Sequence, residues 1–258
     1  NYLSFGLKEN RYSIDGTMIS LGEIDMKDMF IEDSGDFVLY LGGTKESKNF
    51  LAMPKNTNML IVRQTYKDRI NQTHAKINIK TVSTKASPEL LSSDQLENQL
   101  NQSLAFVRGT ASTFLIWVKD FKKNHKNALP LGDQSFFQAA GGDPKICYLH
   151  GYYDFNKDEC MQITTYIPDC EYWNFQLENF WMESLDYRHY PIHINDSSAI
   201  VKKDKSITIT VSHFPINIEN NLITEGRNNG AMLLRWIDAK NNPIPEVKIK
   251  KIDSIEMN

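Results

Sequence analysis

The chemistry-bearing side chains of this chain crowd into one stretch, Pro168 to His193, where two Trp, three Tyr, two Phe, two His, three Glu, two Asp and one Arg fall within 26 residues. Asp186 with His189 or His213 is the pairing of carboxylate and imidazole that could exchange a proton, the carboxylate orienting the ring and the ring carrying the proton. Trp173, Trp181, Tyr187 and Arg188 are the complementary set: aromatic walls with one fixed cation, the makeup of a small-molecule site. Two further readings stand beside these. The same aromatics could fill a core, with Asp186 and Arg188 as a turn-holding ion pair. His189 and His193, four apart, place two imidazoles on one face of a helix or strand, but Pro191 between them excludes a regular helix and no HExxH-type pattern supports the pair. No metal and no cofactor is expected.

Other chemistries are disfavoured by pattern. Ser184 has no glycine flank and no GxSxG elbow occurs, so a serine nucleophile is not expected. Neither GxGxxG nor GxxxxGK[ST] is present, which argues against a Rossmann or P-loop nucleotide site. His213 continues the parity of Ile207, Ile209 and Val211, so its ring points to the apolar side of a strand and reads as a hydrogen-bonded core histidine. Cys147, Cys160 and Cys170 show no CxxC spacing and read as free thiols.

These residues need elements to hold them. Alternation predicts strands over Phe37–Leu41, Met59–Gln64 and Ile77–Lys80 in the first part of the chain, and Asn1 to Phe5 also reads as a strand. From Ser87 the period lengthens: Ser87-Pro88-Glu89 resembles an N-cap and first turn, and Ser92 with Gln95 can form a capping box. Leu96, Leu100, Leu104 and Val107, then Ala111, Phe114, Leu115, Val118 and Phe121, continue one apolar face, as two helices or as one bent at Gly109. Asn127 to Pro130 closes the helical segment, and Gly132 to Pro144 reads as a connection. Beyond it, Ile146, Tyr148 and His150 on one strand and Met161, Ile163, Thr165 and Ile167 on the next are expected to form a hairpin across the turn residues Asp154 to Asp158; if it centres on Asn156-Lys157, Cys160 lies opposite Tyr153 and Cys147 opposite Tyr166. Ile207–Ser212 and Met232–Ile237 are strands, and Val247–Ile252 is an edge strand guarded by Lys248 and Lys250.

The expected fold is therefore mainly β, sandwich- or jelly-roll-like, with a helical segment around residues 87–127. It divides into an N-terminal β portion with the helical segment (1–131) and a C-terminal β-sandwich (132–258). The 258 residues suffice for one large or two ordinary domains. Twenty-nine basic against 32 acidic residues, net −3, supply no general attraction to nucleic acid. The longest apolar run, Phe114–Val118, is far short of the roughly 20 residues of a membrane span. With no initiator Met at Asn1, the natural start is expected to lie upstream, so compartment is not read from this sequence; nor is oligomeric state.

The run Pro168-Asp169-Cys170, Tyr172-Trp173-Asn174-Phe175-Gln176-Leu177 and Trp181 to His189 resembles bacterial proteins carrying the domain of unknown function numbered 1214. Val62 to Tyr66 with Asp68-Arg69, Gly141-Gly142-Asp143-Pro144, Gly151-Tyr152-Tyr153, Asp204-Lys205-Ser206 leading to His213, and Arg235-Trp236 are similar too. The resemblance runs from about Phe37 to Ile249. It implies a β-sandwich or jelly roll, often beside a second domain, and brings no reaction with it. Where such proteins tend to carry a Trp- and His-bearing loop after the His213 strand, this chain has Phe214–Leu222 and then Glu225-Gly226-Arg227, so a histidine role in that loop is not expected here. The leading functional expectation is binding of a small apolar or carbohydrate-like molecule; the alternatives are an Asp/His acid–base or metal-assisted enzyme and a structural or assembly module.

Overall fold

The computed structural model describes residues 2–43, 47–82 and 90–255. It is mainly β with a helical insertion, and its contacts gather into two units, residues 1–110 and 111–258, the division falling inside the long helix.

The first unit is built on a three-stranded antiparallel sheet ordered β2-β1-β5 from β1 (Tyr2–Arg11), β2 (Thr17–Asp25) and β5 (Met59–Thr65). Central β1 buries Tyr2, Leu3, Phe5 and Leu7. The register slips between Leu7 and Lys8, and Lys8 is wholly buried in an ion pair with Glu23. Two sequence expectations fail here. The strand over Phe37–Leu41 shrinks to Tyr40–Leu41 (β3), paired in parallel with Phe50–Leu51 (β4). Residues 77–80 form no strand, and Ile79 is exposed. Alternation makes a strand only where a neighbour completes its ladder and covers one face, and neither is present for Ile77 and Ile79.

Helix α1 (Ser93–Asn124) starts on a reciprocal capping box: Ser92 N donates to Gln95 Oε1 (2.8 Å) and Gln95 N to Ser92 Oγ (3.2 Å). The Ser87-Pro88-Glu89 signal lies outside the described residues. The helix runs unbroken through Gly109, and the glycine serves proximity instead of a bend: a Cβ there would meet Tyr12 O at 2.4 Å. The predicted apolar face is split in use. Leu96, Leu100, Leu104 and Val107 are exposed, whereas Trp117, Val118 and Phe121 are buried.

In the second unit, α2 (Gln134–Ala139) interrupts the expected Gly132–Pro144 connection, its N-terminus capped by Asp133 Oδ1. The remaining strands are β6 (Ile146–Asp154), β7 (Glu159–Tyr166), β8 (Tyr172–Leu177), β9 (His193–Asn195), β10 (Ser206–Ser212), β11 (Asn221–Ile223), β12 (Asn229–Ile237) and β13 (Glu246–Lys251). They form two four-stranded sheets, β11-β10-β7-β13 and β6-β12-β8-β9. Their inner faces share one core that includes Leu149, Met161, Ile163, Phe175, Ile209, Met232 and Trp236. The expected β6–β7 hairpin does not form. β6 pairs with β12 and β7 with β10 and β13, so the Asn156 turn carries the chain from one sheet to the other. Both strands present an apolar face to the same core, and facing one another across it buries more surface than lying side by side. The predicted cross-strand neighbours of Cys147 and Cys160 change accordingly, and all three cysteines are free thiols. β13 lies at a sheet edge with Lys248 and Lys250 exposed, as expected.

Candidate functional site

The residues singled out in Pro168–His193 separate into two environments. Trp173 lies on the core side of β8, 2% exposed, tilted against Trp236 with ring centroids 6.0 Å apart. Trp173 and Trp181, expected to wall one site, lie in different settings, the first packed in the core and the second exposed. The odd parity of β8 sends Trp173, Phe175 and Leu177 inward. An edge of Trp173 reaches a surface hollow of about 250 Å³ that Ile167, Cys170, Tyr172 and Val201 also line. Trp181 and Tyr187 are exposed on the following loop.

That loop brings Asp186, Arg188 and His189 together. Arg188 Nε donates to Asp186 Oδ1 (3.0 Å), and His189 Nδ1 lies 2.8 Å from Asp186 Oδ2. The Arg188 hydrogen bond first, then that of His189, holds the Asp186 carboxyl far below the usual carboxylate range. The group stays ionised and orients its neighbours. His213 does not join them. It is buried, with Nδ1 2.8 Å from Thr224 Oγ1 and Nε2 3.1 Å from Phe155 O. Both ring nitrogens are committed to neighbours, as the strand parity foretold, and no donor–acceptor pair with Asp186 results. His189 and His193 form no metal centre: among the described residues no three His, Cys, Asp or Glu side chains are placed to hold an ion.

A second constellation lies on the outer face of β6-β12-β8-β9. Cross-strand register sets Tyr148, Arg235, Asn174 and Asn195 in one row and His150, Leu233, Gln176 and His193 in the next; Glu178 follows beside Ala231, to whose carbonyl its backbone N–H donates at 2.8 Å. Trp117 and Phe121 of α1, Phe137 of α2, Tyr152 and Ala231 pack together over one end of this face, and Phe180 and Met182 join them. His150 is buried there, stacked on Phe121 (4.9 Å, 12°), while His125 stacks on Phe121 as well (5.6 Å, 15°). Burial first, and then the charges of Arg235 and His125, push the His150 ring down to about 3, so it is neutral at physiological pH.

Glu178 is 3% exposed. Its Oε1 accepts from Gln176 Nε2 (3.1 Å), but Oε2 is buried without a partner, as are Asn174 Oδ1 and His150 Nδ1. Burial pushes the Glu178 carboxyl up to about 7, opposed by Arg235 and the Gln176 hydrogen bond. Arg235 is half-buried in the middle of the face. Its charge reaches Glu178, His150 and Tyr172, yet it forms no ion pair with Glu178, and its guanidinium takes part in no hydrogen bond among the described residues.

Sequence reasoning passed over this set, although each strand carried a trace of it. In β8, Asn174 and Gln176 alternate with Trp173, Phe175 and Leu177, and Glu178 continues that parity; in β12, Arg235 interrupts an otherwise apolar run. A charged residue in a strand buried on both faces needs a reason. What the sequence lacked was the sheet order that sets β12 between β6 and β8.

No family model and no curated protein matches the chain. Among solved structures it is similar to an uncharacterised protein from Burkholderia cenocepacia, with a TM-score of 0.94 and 36% identity over 98% of this chain and 71% of that one. The VPA0106 protein from Vibrio parahaemolyticus aligns over 97% of this chain and 86% of its own with a TM-score of 0.43 and 11% identity.

Proposed function

The chain belongs to the same family as the Burkholderia cenocepacia protein, and from that premise we propose that its second unit is a small-molecule-binding domain whose site is the polar outer face around Arg235 and Glu178. The observation that carries this reading is a half-buried guanidinium on the same face as a buried carboxyl oxygen that has no hydrogen-bond partner among the described residues. An unpaired buried polar atom costs about 1–3 kcal/mol, and Glu178 Oε2, Asn174 Oδ1 and His150 Nδ1 all incur that cost. A ligand that pairs these atoms recovers that cost. The aromatic setting of Trp117, Phe121, Phe137 and Tyr148 matches the walls of small-molecule sites, where a few polar groups converge among apolar ones. Of the apolar and carbohydrate-like ligands expected from sequence, this polar set speaks against the apolar kind. The resemblance to proteins with domain of unknown function 1214 supports the same placement, because the Tyr172–Leu177 motif supplies Asn174 and Gln176.

An acid–base enzyme is the second reading, with its centre moved. Asp186 is too firmly anionic to cycle a proton, whereas the Glu178 carboxyl, pushed up to about 7, lies where a general acid or base works best.

Native mass spectrometry of the full chain after incubation with a mixed small-metabolite library tests the binding reading. Wild type is expected to retain an adduct that both Arg235→Met and Glu178→Gln lose. An adduct kept by both variants refutes the site.

A further inference from the structure

We infer that the ligand of this face is a small organic acid that also carries a hydroxyl or amino group, with the acid seated on Arg235 and the donor on Glu178. The inference rests on the binding reading above and narrows it to a ligand class.

Arg235 offers only donors, five N–H groups in a planar fork that matches a carboxylate better than any neutral oxygen. Glu178 Oε2, an acceptor once the carboxyl ionises, and Asn174 Oδ1 have no hydrogen-bond partner among the described residues, and Asn174 stands directly across from Arg235 in the β12–β8 register. The two halves of the site therefore call for opposite functions in one molecule. A neutral polyol pairs the acceptors and leaves the guanidinium without a counter-charge. A simple acid engages Arg235 and leaves both oxygens orphaned. Inorganic phosphate brings a second negative charge towards Glu178, where burial already disfavours negative charge, and a purely cationic amine is repelled by Arg235. Only a molecule with an acidic end and a donor end serves both Arg235 and Glu178. The route in is the half-buried part of the face, where Arg235, Asn174 and Gln176 retain contact with solvent.

The test is isothermal titration calorimetry on the full chain with lactate, malate, glycine and 4-aminobutyrate, against acetate, glycerol and inorganic phosphate. At least one hydroxy or amino acid is expected to bind about tenfold or more tightly than acetate and glycerol, the worth of one added hydrogen bond to a charged group. Arg235→Met should abolish that binding. Glu178→Gln should bring the hydroxy or amino acid down towards acetate while leaving acetate unchanged. Circular dichroism checks folding of each variant; should Arg235→Met not fold, Arg235→Lys keeps the charge, loses the fork, and is expected to weaken binding about tenfold. Acetate, glycerol or phosphate binding as tightly as the best hydroxy or amino acid, or no probe binding at all, overturns the ligand class. If the library adduct is nonetheless lost from Arg235→Met and Glu178→Gln, the site stands and only the class has failed. Binding that survives both variants overturns the site as well.

Discussion

Phe121 and His150 stack ring on ring, 4.9 Å between centroids and 12° between planes, which ties the buried half of α1 to the centre of the outer sheet face. The contact places an imidazole where a charge is poorly tolerated, one row from a carboxyl that is buried as well.

Those two groups make opposite demands on pH. The unfolded chain protonates His150 below about 6.5 and the folded ring only near 3, so its contribution to stability falls as pH drops through that window. Glu178 keeps its proton in the folded state up to about 7 but loses it near 4.5 when unfolded, so its contribution falls as pH rises from 4.5 to 7. Between pH 4.5 and 6.5 the slopes oppose, each about 1.4 kcal/mol per pH unit at full effect. Urea unfolding at the two ends of that range should therefore differ by about 3 kcal/mol more in Glu178→Gln than in wild type, the variant being weaker in acid. Equal pH dependence in the two proteins would exclude this coupling.

Trp173→Ala removes an indole packed in the core and should cost about 3–5 kcal/mol. Trp181→Ala, on an exposed loop, should change stability by no more than about 0.5 kcal/mol. Chemical denaturation of the two variants side by side decides whether the first indole is core.

Gly230→Ala tests the seating of Glu178. A Cβ at residue 230 would meet Glu178 O at 2.3 Å and Tyr153 Oη at 2.5 Å, so β12 and the end of β8 must move apart. A loss of roughly 2–4 kcal/mol, together with weaker ligand binding, is expected; wild-type stability in this variant refutes the close approach.

His213→Ala should leave Thr224 Oγ1 and Phe155 O without their buried partner and cost about 2–4 kcal/mol. His189→Ala, on the exposed loop, should leave the melting temperature unchanged. A large shift for His189→Ala with none for His213→Ala would reverse the roles given to the two imidazoles.

Much of the architecture was readable from alternation. β10, β12 and β13, the helix and its Ser92 cap follow from spacing and side-chain chemistry alone, because those signals are local. The pairing of β6 and β7 was misread for the same reason: adjacency in sequence and a turn at Asn156 point to a hairpin, and only the shared core tells the chain to cross over. The site was harder still. His150, Glu178 and Arg235 become neighbours through a strand order that no single segment encodes, whereas the conspicuous aromatics of Pro168–His193 divide between core and loop.

The crossing at Asn156 bears on how the molecule is made. β6 finds its ladder in β12, with partners between 75 and 91 residues apart in sequence, and β7 pairs with β10 and β13. A chain emerging from the ribosome with β6, β7 and β8 complete has none of these ladders, and their apolar faces stay uncovered until later strands follow. Long-range pairing of this kind is slow and open to aggregation. The second unit should therefore gain protease resistance late in synthesis and abruptly, once β12 is free to enter between β6 and β8, and nascent chains stalled before Asn229 should be clients for chaperones.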